Sequence, residues 1–328
     1  MVSYGKKMSN SESDSEEENS KCIKCGDEYP DNLFAYDNVC YLCVEESNNS
    51  NDDNDEIVNQ FQQTTIVDDA EFTLKDIQKD KEKSLEYLKL LPNSKTLKEL
   101  IKKAHELCPE LERFCEENKI KLNCSKSKDK GNLGKTLEFY IFGQLPNSNP
   151  NPDLSWGADI KTTQFKRVKK DKFNAKERLT ITNCGNTNDY NSFSDIINSN
   201  KLSNCNLYNK LCKGVLFVFE YTNGKYNDIE DNLNKKILCC IHYDLSELNK
   251  EILNQLEEDF QDIKNRIINK NIHQGQKYLH ICKLGNKKCT THALAFTNKF
   301  LTKLVSIKLN KPIIEVGVSH SIEEKHFK

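Results

Sequence analysis

Apolar residues recur at steps of three and four along TLKDIQKDKEKSLEYLKLL (73–91) and KTLKELIKKAHEL (95–107), a spacing that gathers them on one face of a helix. Two amphipathic helices are expected there. A third is expected over GNLGKTLEFYIFG (131–143), which is bounded by glycines. The pattern then changes to short runs rich in β-branched and aromatic residues: ADIKTTQF (158–165), RLTITN (178–183), GVLFVFEY (214–221) and KILCCIHY (236–243). These read as strands. A long charged helix is expected over 246–270 and a further strand over KYLHICKL (277–284). Helices flanking a mixed sheet make an α/β or α+β fold, and no internal repeat is evident.

The N-terminal 56 residues break this pattern. SESDSEEENS (11–20) and ESNNSNDDNDE (46–56) are acidic, low-complexity stretches with too little apolar surface to order themselves. The expected organisation is an acidic disordered start (1–20), a small cysteine module (21–45), an acidic linker (46–71), a body (72–312) and a C-terminal tail (313–328). Charge follows the same division. Residues 1–56 carry four Lys against fifteen Asp and Glu, a balance of −11, which leaves +9 for the rest of a chain whose net charge is −2. A basic body is suited to phosphate backbones and equally compatible with a merely soluble surface. No apolar run approaches the roughly 20 residues of a membrane span, and no signal-peptide pattern opens the chain. The expectation is a soluble intracellular protein, with the 14 cysteines reduced.

Cys22-x2-Cys25 and Cys40-x2-Cys43, separated by fourteen residues, have the four-thiolate spacing of structural Zn²⁺. So short a segment would depend on the metal for its fold, since binding supplies ~10 kcal/mol or more in comparable peptides. The stretch resembles small zinc-ribbon fingers attached to nucleases. DNA reading, protein docking and a purely structural role all remain open for it.

NPDLSWGADIKTT (151–163) carries the candidate chemistry. Strand alternation puts Asp159 and Lys161 on one face, and a turn could bring Asp153 alongside. Converging carboxylates attract a hard cation, Mg²⁺ or Mn²⁺, and a Lys beside them can orient water and stabilise charge on a phosphate. Alone, this Asp, Asp-x-Lys pattern is too short to be specific; the structural alternative is a turn followed by a solvated strand edge.

Three blocks together are more specific. KDKGNLGKTLEFYIFG (128–143), NPDLSWGADIKTT (151–163) and NKLCKGVLFVFEY (209–221), in this order and at these intervals, resemble the MutH family, which comprises a mismatch-repair nicking endonuclease and restriction endonucleases cutting at GATC. The resemblance extends over about residues 120–305. It implies a restriction-endonuclease-like fold of the PD-(D/E)xK superfamily and a Mg²⁺-dependent DNA endonuclease activity. Asp153 and Asp159 match the metal-binding acids, Glu138 a third acid on the helix, Lys161 the motif Lys and Lys210 a further active-site Lys, while Lys130 matches a Lys that touches DNA. Two departures stand out. The second acid is Asp where the mismatch-repair enzyme has Glu, and the spacer is one residue shorter. Glu138 has a bland alternative on the polar face of its helix, and Lys210 another as a solvated strand-entry Lys.

YLHICKLGNKKCTTHALAFTNKFLTKLV (278–305) resembles the family's specificity region, with Lys283, Phe296, Asn298 and Lys299 where base or backbone contacts would fall. Lys can donate to guanine, Asn can pair with adenine and Phe can pack on a thymine methyl. Core packing explains Phe296 equally well, and His280 and His292 are ordinary polar positions. The expected function is a sequence-specific endonuclease on double-stranded DNA, nicking alone or cutting both strands as a homodimer or with a repair partner. The alternative is a catalytically silent DNA-binding or adaptor protein that works through its zinc module.

Overall fold

The computed structural model describes residues 71–328 except 94, 119–130, 146–150, 170, 223–232, 285–287, 317–318 and 328, together with four short strands between residues 19 and 40. The chain divides into two units, Met1–Asp68 and Asp69–Lys328. In the first, β1 (Asn19–Lys21) pairs antiparallel with β2 (Glu28–Pro30), and β3 (Phe34–Tyr36) with β4 (Val39–Cys40). Cys22, Cys25 and Cys43 lie outside the described residues, as does the side chain of Cys40.

The second unit is a mixed α/β structure whose described residues include nine α-helices. The stretch read as one helix over 73–91 is two, α1 (Leu74–Lys79) and α2 (Lys81–Leu90). Asp80 takes an extended backbone between them, and its carboxylate accepts from the Lys83 N–H, capping α2 where α1 stops. Next, α3 (Leu97–Leu107) opens with a capping box between Thr96 and Glu99. A helix absent from the sequence expectation, α4 (Pro109–Asn118), follows at once. Its Pro sits at the first helical position, where no N–H is needed, and Leu111 and Cys115 turn inward. After α5 (Asn132–Phe142) come β5 (Asp159–Lys169), β6 (Lys172–Ala175) and β7 (Leu179–Asn186), then two short helices, α6 (Ser194–Asn198) and α7 (Tyr208–Leu211). The chain continues through β8 (Lys213–Glu220), β9 (Ile237–Asp244), α8 (Lys250–Ile268), β10 (Leu279–Lys283), β11 (Thr291–Phe296), α9 (Asn298–Leu309), β12 (Ile314–Val316) and β13 (Ser319–Glu323).

Five strands in the order β13-β6-β5-β8-β9 form the mixed sheet, and the short β12 extends its β13 edge. Only β5 and β8 run parallel. The apolar run of β8 is continuous because helices cover both faces of the sheet there. Leu216 and Val218 enter the core shared with α8 and α9, whereas Val215, Phe217 and Phe219 enter the core shared with α1 to α5. A smaller antiparallel sheet, β10-β11-β7, packs into the first of these cores. There the buried Asp259 of α8 accepts from the backbone N–H groups of Lys277, Tyr278 and Leu279, tying the helix to the start of β10.

In place of the expected tail, β12, β13 and the turn Glu324–Phe327 continue this unit. β13 pairs with β6, and the buried Phe327 ring meets Phe165 and Phe173 at 6.3 and 5.8 Å. The described cysteines are free thiols. No described helix is long and apolar enough to cross a membrane.

Candidate active site

The loop before β5 folds back on itself. The Gly157 N–H donates to the Leu154 carbonyl and the Leu154 N–H to the Ala158 carbonyl, each at 2.9 Å. Gly157 turns the chain at φ +93°, a region that favours glycine. This closure lays Asp153 against Asp159. The Ile160 N–H donates to Asp153 Oδ2 at 2.8 Å, and the Asp153 N–H to Asp159 Oδ1 at 3.3 Å. Gln144, just past the end of α5, holds the turn from outside by donating to the Asp153 carbonyl at 2.8 Å. Six residues of separation thus become direct contact of two acids.

Asp159 is fully buried at the start of β5. Lys161, two residues on and on the same face, pairs with its Oδ2, and Lys210 of α7 approaches Oδ1 at 3.8 Å. Although Lys161 lies against it, Oδ2 has no hydrogen-bond donor in good geometry. Burial, and then the Asp159 charge, pushes Asp153 up to about 7, so near neutral pH its carboxyl is only about half ionised.

Glu138 is partly buried on α5, a helix that is apolar on most sides and ends where Gly143 turns left-handed at φ +62°. A Cβ built on Gly134, one turn earlier, would lie 3.9 Å from both Glu138 Oε1 and Thr162 Oγ1, so the helix rests close on β5. Burial raises the Glu138 carboxyl, with the ammonium groups of Lys161, Lys135 and Lys210 opposing and Asp159 adding to the rise. Glu138 therefore shares the electrostatic neighbourhood of the Asp pair. Among the described residues, however, no three His, Cys, Asp or Glu side chains are gathered closely enough to ligate one ion.

A Mg²⁺ ion typically keeps several waters and takes one or two carboxylates together with substrate phosphates. Two adjacent carboxylates, Asp159 fully buried and Asp153 partly so, fit that requirement once Lys161 releases Oδ2. Asp153 and Asp159 would hold the ion, with Glu138 at the margin.

The residues expected to touch DNA divide. Asn298 and Lys299 are exposed at the start of α9, and Lys283 is exposed at the end of β10. Phe296 is different: its ring is fully buried, 6.1 Å from Tyr243 and 5.0 Å from Phe300, and offers no surface to a base. The last residue of β11 points inward because the strand's apolar positions close the core beneath α9. Lys130 lies outside the described residues.

Two residues near the site were missed in the sequence. Gly214 is the direct neighbour of Asp159 across β5 and β8, and Tyr243 the direct neighbour of Gly214 across β8 and β9. A glycine opening an otherwise bulky strand, GVLFVFEY, was the available signal, since it marks close approach of another group. Comparison of the chain with protein-family models and with curated proteins gives no match.

Proposed function

We propose that the chain is a Mg²⁺-dependent endodeoxyribonuclease of the MutH-like, restriction-endonuclease type, hydrolysing phosphodiester bonds in double-stranded DNA. One observation carries this reading: the half-buried Asp153 donates its N–H to the carboxylate of the fully buried Asp159 at a strand start, with ammonium groups from separate elements on the same Asp159. A purely structural ion pair needs one partner, and burying further charge beside it is costly. Such an excess is characteristic of functional sites.

Mg²⁺ or Mn²⁺, when bound, supplies positive charge against the phosphate oxygens and acidifies the attacking water. Asp153 and Asp159 would set the position of that charge, and the Asp153 carboxyl, raised by burial, must first lose its proton. Lys161 holds the water in line with the scissile bond and stabilises negative charge as it builds on phosphorus, and Lys210 adds a second ammonium from the opposite side. Water adds to phosphorus, the P–O3′ bond breaks, and a 5′-phosphate and a 3′-hydroxyl result. Asn298, Lys299 and Lys283 are the remaining DNA-contact candidates. Cys22, Cys25, Cys40 and Cys43 would hold structural Zn²⁺, in a module that serves DNA reading, protein docking or structure alone.

The silent DNA-binding or adaptor alternative draws on one feature, the ion pair that already occupies Asp159 Oδ2. Supercoiled plasmid incubated with the full chain and Mg²⁺ separates the two readings. Conversion to nicked or linear DNA that is lost in Asp159→Ala supports the nuclease. DNA that is shifted on a gel but intact with both proteins refutes it.

A further inference from the structure

Asp159, Gly214 and Tyr243 form one cross-strand row over β5, β8 and β9, so their side-chain positions share a face of the sheet. Gly214 contributes nothing to that face, and Tyr243 lies over the gap. A Cβ at Gly214 would fall 2.6 Å from Tyr243 Cε1 and 2.7 Å from both Cζ and Oη. The hydroxyl is therefore above β8, one strand spacing of about 4.8 Å from the β5 backbone. It is fully buried and has no hydrogen-bond partner. Asp159, in the same row, is a fully buried carboxylate held by the Lys161 and Lys210 ammonium groups. A buried hydroxyl without a partner thus lies over the glycine that separates it, in the same row, from a buried carboxylate.

We propose that Tyr243 is a positioning residue whose hydroxyl donates, directly or across one water, to the Asp159 carboxylate and holds it for its role in the site. Buried polar groups are rarely left unpaired, because each costs its full desolvation. Phe would fill the same space at no such cost, which makes the choice of Tyr informative. Burial, with the Asp159 charge next, also pushes the phenol well above its ordinary range, consistent with the two groups lying close together. Asp159 already meets two ammonium groups. A third contact from the opposite strand would fix its orientation, leaving Lys161 free to turn toward a substrate.

This inference rests on the nuclease reading for its catalytic consequence but not for the contact itself, and two measurements on the full chain separate them. Urea unfolding of wild type, Tyr243→Phe, Asp159→Asn and the double variant reads the contact. A hydrogen bond to a carboxylate is about twice as strong as one to a neutral acceptor. Tyr243→Phe should therefore lower the midpoint, and by about half as much in the Asp159→Asn background. Equal shifts in both backgrounds, or none in either, would overturn the inference. Cleavage of saturating DNA with Mg²⁺ reads the consequence: Tyr243→Phe should lower kcat about tenfold with KM unchanged, the loss of one charge-assisted hydrogen bond. A wild-type kcat in that variant overturns the positioning role. If wild type cleaves nothing, the nuclease reading fails and the midpoints still decide the contact.

Discussion

Gly214→Ala is the sharpest perturbation of the site's frame. In an ordinary strand the change should help, because glycine in a strand interior costs roughly 0.5–1 kcal/mol relative to alanine. Here the added methyl would meet Tyr243 Cε1 at 2.6 Å, more than 1 Å inside ordinary carbon contact. The ring has nowhere to retreat, being fully buried and packed edge-on against Phe296 at 6.1 Å. Overpacking of this kind costs about 1–3 kcal/mol, which outweighs the backbone gain. The net loss is about 0–2.5 kcal/mol, and in a unit of this size each kcal/mol moves Tm by roughly 2–4 °C, so a fall of up to about 10 °C is expected by calorimetry. Tyr243→Phe/Gly214→Ala should be no better, since the clash involves ring carbons as well as the hydroxyl. An alanine variant more stable than wild type would show that Tyr243 does not lie over Gly214 and would remove the basis for the row.

Other substitutions and conditions test separate parts of the structure. Phe296→Ala should cost about 3–5 kcal/mol of stability, as expected for a buried aromatic, and leave any DNA sequence preference unchanged; a change of preference at full stability would return the ring to the DNA interface. Mg²⁺ affinity, measured by calorimetric titration, should rise with pH through about 7, because the Asp153 carboxyl is raised by burial and by Asp159 and must lose its proton to serve as a ligand. A flat profile between pH 6 and 8 would contradict that assignment. Burial lowers His280 to about 4, against about 6.5 when unfolded. The folded state therefore binds fewer protons, and stability present above pH 6.5 is lost as pH falls toward 4, by up to roughly 3 kcal/mol. His280→Asn should flatten that part of the pH–stability curve.

Periodicity alone located α3, α5, β8, β9 and most of α8, because each has a long apolar stripe or run that one or both cores consume. It also put Asp159 and Lys161 on one face, since alternation in a strand is local geometry. The break at Asp80 and the helix α4 were not anticipated. At Asp80 a short charged side chain caps the backbone over one turn, which a periodicity window averages away, and α4 starts at a proline directly behind α3. The tail was misjudged for another reason: β13 has little apolar character of its own and gains its place by pairing with β6, while Phe327 depends on Phe165 and Phe173.

The sequence by itself determined where the longer helices and strands of strong apolar period lie, and it supplied the acids and lysines in a suggestive order. Only tertiary structure decided their meeting: a turn closed by Gly157 sets Asp153 on Asp159, and α7 delivers Lys210 from about fifty residues away. It also decided that Phe296 is core and that Tyr243 faces Asp159 across Gly214. The physical reason is the same in each case. Local patterns reflect forces between residues a few positions apart, whereas register between strands and burial of a given face depend on which distant segment fills the remaining space.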